Sequence, residues 1–556
     1  MNTKLYKFLL IGIFIFAFIS MIISAKADSL TTDEGIHLFA GYTYLTKNDF
    51  RLDPEHPPLL KEISALPLLF YKDLKVPIDG LWDKAGNFYY DSWQEARLLS
   101  NNFLFDQGND TAKIIFWGRF PFIILTLILG LITYLWAQNL YGQKAGIFGA
   151  FLILLMPNIL AHGRLINTDL GLTFFLFITI YFWTNFLKKP KFLNGFLSGI
   201  FLGLTFASKF TSVIVIPIII ILALVKIIFL KNEPKAVIKI IGGFFPILAI
   251  AFLILWATYG FSTKVSPISI DSLSANINLW TGFHLPDSFD KISNQLRPVM
   301  FPADYYKGFF LVGRHAFTGH GAYLLGKTSN TGWWYYFPVA IFYKTPVAFF
   351  IFLILAFVIF YKKVKPKISF DEIVLLSTPI IYLLFSMFSK ADLGVRHVLP
   401  IFPFLIVFAS RSINLFNFNK IGHLIIFGLL ILWYLFSNVL IYPNYLAYFN
   451  EFAGGSKNGY KILGDSNLDW GQDAYRIKKY LLDNKISDGY ILYPWNGDEA
   501  LKYYGINLKS MSLGEFDLKG VAIVSATYYQ LGEMRWLDKY QKEEITSGVF
   551  TFYGTD

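Results

Sequence analysis

Residues 211–230 read TSVIVIPIIIILALVKIIFL, with one charge, Lys226, and one proline, Pro217. A helix of that length is about 30 Å long, enough to cross the hydrocarbon core of a bilayer. The run lacks the polar-apolar alternation of a half-buried strand and the polar stripe of a surface helix. Working outward, comparable apolar runs occupy about 6–25, 113–137, 145–161, 170–187, 193–208, 237–259, 334–360, 370–389, 397–410 and 421–441. The sequence therefore predicts an all-α polytopic membrane domain of about 11 transmembrane helices, with the shortest runs as broken or tilted spans.

Composition agrees. Of 556 residues 55% are hydrophobic and 16% are charged, where a soluble domain carries about 25% charged residues. This excludes a soluble enzyme, a disordered chain and a fibrous protein. Cysteine is absent, which excludes a disulfide framework, thiol catalysis and cysteinyl metal sites.

The net charge of +11 takes its meaning from where the cations lie. With the N-terminus cytoplasmic, Lys144, Lys188, Lys189, Lys191, Lys231, Lys235, Lys362, Lys363, Lys365, Lys367, Arg411 and Lys420 all fall in cytoplasmic connectors. The surplus is a topology signal, and no nucleic-acid partner is expected. The polar loops at about 26–112 and 260–333, and everything after 441, fall on the extracytoplasmic side. Ser24-Ala25-Lys26-Ala27 could serve as a signal-peptidase site, although a start-anchor is the simpler reading.

Two domains are expected: a transmembrane domain at 1–441 and a small extracytoplasmic α/β domain at 442–556. In the latter, Gly454-Gly455 and Asn458-Gly459 mark turns, Asp473 to Leu482 reads as an amphipathic helix, and Gly489 to Tyr493 and Gly520 to Val524 read as buried strands.

On this topology the unusual polar residues gather at the outer ends of the spans. They include Asp33, Glu34 and His37, then Asp53, Glu55, His56 and Lys61, then His162, Arg164, Asn167 and Asp169. Lys209, Lys344, Arg396 and His397 follow. Taken singly, many have plain explanations. Acids favour helix N-termini, which could account for Asp33, Glu34 and Asp169. His37 and His56 could be hydrogen-bonded loop histidines sooner than metal ligands, and Arg396 an interface anchor. Lys344 lies inside an apolar run, where a lysine costs ~2.5–3.5 kcal/mol at mid-bilayer; a nearby anion, a wet cavity or snorkelling to the headgroups would relieve it. Taken together, carboxylates and cations at headgroup depth suit an anionic lipid held beside a carboxylate that acts on a second substrate.

The joint pattern resembles the protein O-mannosyltransferase and lipid A aminoarabinose transferase family, glycosyltransferase family 39 and relatives with the C-type fold. The matching stretches are Asp33-Glu34 with His37, Glu55-His56-Pro57-Pro58-Leu59 with Lys61, and Asn167-Thr168-Asp169. Ala207-Ser208-Lys209-Phe210, Tyr343-Lys344-Thr345-Pro346 and Gly394-Val395-Arg396-His397-Val398-Leu399-Pro400 follow in the family's order. The tail motif Gly464-Asp465-Ser466-Asn467-Leu468-Asp469-Trp470-Gly471-Gln472-Asp473 resembles a segment of uncharacterised bacterial members.

The resemblance implies transfer of a sugar from a polyprenyl-phosphate donor to an acceptor hydroxyl on the extracytoplasmic face, with inversion. Asp33 would be the catalytic base, with Asp169 and Glu34 as further catalytic carboxylates. Lys209, Lys344, Arg396 and His397 would hold the donor phosphate. Glu55 and His56 would either order the active-site loop or, with His397, hold a divalent metal ion. Such residues fit the chemistry: the phosphate leaves as a stabilised anion, so a base for the acceptor and cations for the leaving group suffice. The eukaryotic acceptor-recognition motifs and luminal β-trefoil insert have no counterpart in the sequence. The acceptor thus stays open among protein, lipid and glycan. The alternative reading is a transporter or flippase of a lipid-linked glycan, which would favour internal duplication and mid-bilayer polar residues. A non-catalytic scaffold is a third.

Overall fold

The computed structural model describes residues 3–77, 82, 89–230, 233–263, 302–363, 368–494, 497–532 and 534–554. All eleven apolar runs are helical. Among the described residues, seven helices are long and apolar enough to cross a membrane: Lys4–Ala27, Thr111–Tyr141, Thr168–Lys188, Phe210–Phe229, Pro234–Ala257, Val395–Leu415 and Ile421–Val439. The pair Tyr336–Lys344 and Val347–Lys362, bent by 105°, makes an eighth. The other three runs form helices shorter than 18 residues: Gln143–Leu154 followed by Pro157–His162, then Phe192–Phe206, then Phe370–Ser386. The protein is a multi-pass membrane protein. Much of the expected loop at 260–333, together with Lys231, Lys365 and Lys367, lies outside the described residues.

Local chemistry sets the helix ends. Asn167 caps the helix Thr168–Lys188, its side chain accepting from the Asp169 and Leu170 amides. Ser369 and Glu372 form a reciprocal capping box at the start of Phe370–Ser386. The bend after Lys344 follows from Pro346, since Thr345 before it is extended.

The chain divides into two compact units. One comprises Gly35–Pro121 and Ile166–Gly319. Its helices Phe192–Phe206 and Pro234–Ala257 approach closely through a glycine every fourth residue of the former. A methyl group at Gly199 would lie 2.8 Å from Ile250 Cβ, and one at Gly203 only 2.5 Å from the Ala251 carbonyl oxygen. Small residues spaced this way let helix backbones meet within a membrane.

The other unit comprises Met1–Glu34, Phe122–Leu165 and His320–Asp556. Its apolar part interleaves aromatics: Phe148 meets Phe352 edge-on at 4.8 Å, and Trp136 meets Phe404 at 6.0 Å. The same unit contains a five-stranded sheet of β3 (Tyr490–Leu492), β4 (Lys509–Ser510), β5 (Val521–Ser525), β6 (Gln541–Thr546) and β7 (Val549–Tyr553), in the order β4-β3-β5-β7-β6. Two short strands, β1 (Ala322–Leu324) and β2 (Lys327–Ser329), pair separately. In the larger sheet β3 runs parallel to β4 and β5, while β7 runs antiparallel to β5 and β6. The amphipathic helix Ala474–Asp483 buries Ala474, Ile477 and Leu481 against Ile491, Ile523 and Val549. Helix and strands thus lie within a residue or two of their expected places.

Candidate active site

The unit holding the first helix brings two of the expected residues together. Asp33 lies in the turn after that helix, and its Oδ2 is 3.4 Å from Arg396 Nη1. The Asp33 side chain is 25% exposed and that of Arg396 11%, so the pair borders accessible space. Glu34 behaves differently: it is fully buried, and its carboxylate accepts the Thr31 amide at 2.9 Å. That bond secures the start of the helix Glu34–Lys47 in the manner of a capping box.

Arg396 lies over the indole of Trp470, 4.1 Å from the ring centroid. Beside this pair lies a buried charge network. Asp28 binds Arg164 and also takes Arg476 Nη2 at 2.8 Å, while Arg476 Nη1 reaches Asp473 at 2.5 Å. Burial pushes the Asp469 carboxyl up to about 8, reinforced by the neighbouring Asp473 carboxylate and opposed by Ser525 and the Gly471 amide. Burial also raises Asp473 against the pull of Arg476.

Lys344 takes a place the sequence did not indicate. It is buried, and its ammonium donates to the carbonyls of Leu446 (2.8 Å) and Asn467 (2.5 Å) while lying 4.5 Å from the Phe449 ring centroid. Those partners occupy its donor directions, so in this structure Lys344 supports the backbone of the tail motif. The His397 ring stacks at 6.3 Å on Phe337, and its carbonyl accepts from Tyr382.

The other unit joins Asp169 and Lys209, whose side chains form a close ion pair at 2.5 Å; both are largely buried. Asp169 sits in the first turn of its helix, where the macrodipole also favours a carboxylate. A second cluster in this unit centres on Asp53. Its carboxylate meets His37 Nδ1 at 2.8 Å, His56 Nδ1 at 3.5 Å and Lys61 Nζ at 3.4 Å. Burial alone would raise Asp53, but the Lys61 ammonium and His37 outweigh it and hold the carboxyl well below the usual range. Burial pushes His56 down despite Asp53. His56 also borders a small cavity lined by Tyr44, Phe50, Tyr259 and Asp304.

Among the described residues, His37, Asp53 and His56 form the group that could hold a metal ion, with one ligand atom from each and all within 4.8 Å of one another. Two imidazoles and a carboxylate suit several first-row divalent ions. Glu55 and His397 are not in that group, so the structure points to His37 and Asp53 beside His56. Sequence reasoning named both residues, with a metal as the lesser alternative for His37 and no role for Asp53. It missed Asp28 and Arg476, and it named Trp470 without a role. Only the tail motif, singled out without a chemical role, could have drawn attention to Trp470.

Residues 112–259 match the family model described as dolichyl-phosphate-mannose-protein mannosyltransferase. Among curated proteins none matches the chain in sequence. Among solved structures, ArnT from Cupriavidus metallidurans in the apo state is 12% identical, with 99% of this chain and 98% of that chain covered and a TM-score of 0.48. The same protein bound to undecaprenyl phosphate gives 10% identity, coverage of 99% and 98%, and a TM-score of 0.45. The apo oligosaccharyltransferase of Archaeoglobus fulgidus gives 12%, coverage of 100% and 75%, and 0.46. The segment carrying Asp169 and Lys209 therefore has the sequence pattern of the dolichyl-phosphate-mannose-protein mannosyltransferases, the family that the ordered motifs of the longer chain resemble.

Proposed function

We propose that this protein transfers a sugar from a polyprenyl-phosphate-linked donor to an acceptor hydroxyl on the extracytoplasmic face of the membrane, inverting the anomeric carbon. The observation that carries the reading is the pairing of Asp33 with Arg396 across 3.4 Å at a partly accessible edge. In the free enzyme the guanidinium neutralises the carboxylate. With donor bound, the same guanidinium faces the phosphate, which its planar fork can hold through two hydrogen bonds.

Asp33 then takes the proton of the acceptor hydroxyl as its oxygen attacks the anomeric carbon from the face opposite the phosphate. The bond from that carbon to the phosphate oxygen breaks as the new glycosidic bond forms, and the phosphate leaves as an anion held by Arg396. No general acid is required. Asp169 is a second carboxylate, held by Lys209 within its own unit. Glu34, His397 and Lys344 support the backbone around these groups. As the holders of a divalent cation we assign His37, Asp53 and His56; a bound ion would supply fixed positive charge to tie the loop of Asp53 and His56 to the helix that carries His37.

The test uses membranes supplied with labelled lipid-linked sugar. Asp33→Asn should lower transfer by roughly 10²- to 10⁴-fold, the usual contribution of a positioned base. Undiminished transfer would remove Asp33 from the chemistry. Transbilayer movement of the labelled lipid without a new glycosidic bond would favour a transporter instead.

A further inference from the structure

The tail motif Gly464–Asp473 has no part in the mechanism above, yet its bonds converge on that mechanism's two central residues. On one side it grips the approach to Asp33. The Trp470 carbonyl accepts from the Thr32 amide at 3.0 Å and from the Thr32 hydroxyl at 3.2 Å. The next two carbonyls accept from Ser29, Gly471 through its hydroxyl at 2.8 Å and Gln472 through its amide at 3.1 Å.

On the other side the motif grips the approach to Arg396. Ser466 Oγ donates to the Leu393 carbonyl at 2.6 Å, and Asn467 Oδ1 accepts the Val395 amide at 2.9 Å. Between them passes Gly394, at φ +148°, where a methyl group would lie 2.7 Å from Ser466 Oγ. The Trp470 indole then covers the Arg396 guanidinium at 4.1 Å. One residue thus holds the Asp33 turn with its main chain and Arg396 with its side chain.

The motif's remaining polar groups shape this clamp. Gln472 Oε1 accepts the Trp470 amide at 2.7 Å, and Asp469 Oδ1 accepts the Gly471 amide at 3.1 Å. Gly471 stands at φ +95°, a conformation that excludes most side chains.

We infer that the tail motif is a built part of the catalytic site and that Trp470 is its positioning residue, holding the Arg396 guanidinium at the place where the donor phosphate binds. The inference rests on the function proposed above and assigns a role to a segment that function does not use. A guanidinium on a long stem has many rotamers. Stacking on an indole face selects one and turns the edge N–H groups away from the ring, the edge through which a guanidinium binds oxyanions.

The experiment measures binding of a polyprenyl phosphate to the full-length protein in nanodiscs, for wild type, Trp470→Leu, Trp470→Phe, Trp470→Tyr and Arg396→Ala, with melting temperatures taken alongside. Trp470→Leu should weaken binding by roughly two- to thirtyfold, the range expected for loss of a cation–π contact. Phe and Tyr, which restore an aromatic face, should recover most of it. The inference is overturned by Trp470→Leu binding as tightly as wild type while Arg396→Ala loses binding. It is equally overturned by Phe and Tyr failing to rescue, or by a lower melting temperature with unchanged affinity, either of which would make Trp470 a docking residue only. Unchanged binding by Arg396→Ala would instead refute the proposed donor site itself.

Discussion

Replacing Asp469 with Asn should remove a pH dependence from the stability of the tail. The native carboxyl stands at about 8, chiefly because it is buried and secondarily because Asp473 lies near. In an unfolded chain an aspartate titrates near 3.9. Between those values the folded tail keeps a proton that the unfolded tail has lost, so stability falls as pH rises, by about 1.4 kcal/mol per unit. Over about four units the loss reaches about 5 to 6 kcal/mol, and it levels off above pH 8, where both states are ionised. Asn is neutral throughout and close in shape. Its oxygen can still accept the Gly471 amide, and its NH₂ can donate to Ser525 Oγ, the partner of Asp469 Oδ2. Hydrogen exchange on the amides of β5 and β7, corrected for the intrinsic rate at each pH, reads the difference. Asp473 is present in both proteins, so subtracting the two curves leaves Asp469 together with its coupling to Asp473. Wild-type protection should decline from pH 5 to 8 more steeply than that of the variant. Parallel curves, or wild-type protection that climbs over that interval, would refute the reasoning.

Other consequences concern the second unit. At Gly41 a methyl group would lie 1.9 Å from the Lys61 carbonyl oxygen; Gly41→Ala must therefore push the helix Glu34–Lys47 away from Leu59–Ala65. Overpacking of this kind costs about 1–3 kcal/mol, and a melting temperature equal to wild type would contradict the packing. Purified protein equilibrated with Co²⁺ should bind one equivalent at His37, Asp53 and His56, seen in its visible absorption, and His37→Ala should abolish the band; a spectrum lacking it in the wild type would leave the cluster as a hydrogen-bonded loop ordered by Lys61.

The helices were legible because a bilayer demands long apolar runs and penalises everything else. What length alone could not indicate was which runs span unaided. Residues 145–161 break where Met156 turns extended before Pro157, and 334–360 break at Thr345 before Pro346. The second break changes the meaning of Lys344. As an intramembrane lysine it implied an anion, but the bend puts it at a helix end, where the carbonyls of Leu446 and Asn467 accept its hydrogen bonds. Residues a hundred positions further along the chain supply those carbonyls, and no local pattern announces them. The same holds for Asp28, whose partners Arg164 and Arg476 lie 136 and 448 positions away. The glycines at 195, 199 and 203 were readable as a close helix contact from their spacing, and the sequence analysis passed over them. In the tail the strands showed in their apolar runs, while their parallel pairing depends on crossover geometry that a sequence does not display.

Two aspartates separated by only a short turn show why satisfaction, more than charge, distinguishes chemistry from support. Asp28 has no exposed side-chain surface and binds two guanidinium groups, Arg164 on one oxygen and Arg476 on the other. A carboxylate so enclosed cannot take a proton from a substrate without breaking one of these bonds, and losing the bond to the buried Arg164 costs about 3–5 kcal/mol for a buried pair. Asp33 has a longer bond, 3.4 Å to Arg396, and keeps a quarter of its side chain accessible. An arriving phosphate can compete for that partner, and Arg396 can move from one anion to the other without leaving the face of Trp470. The buried network around Asp28, with Arg476 continuing to Asp473 in the tail motif, then has a clear task. It fixes the turn that presents Asp33, so that the one weakly held carboxylate of the group is also the one that a substrate can reach.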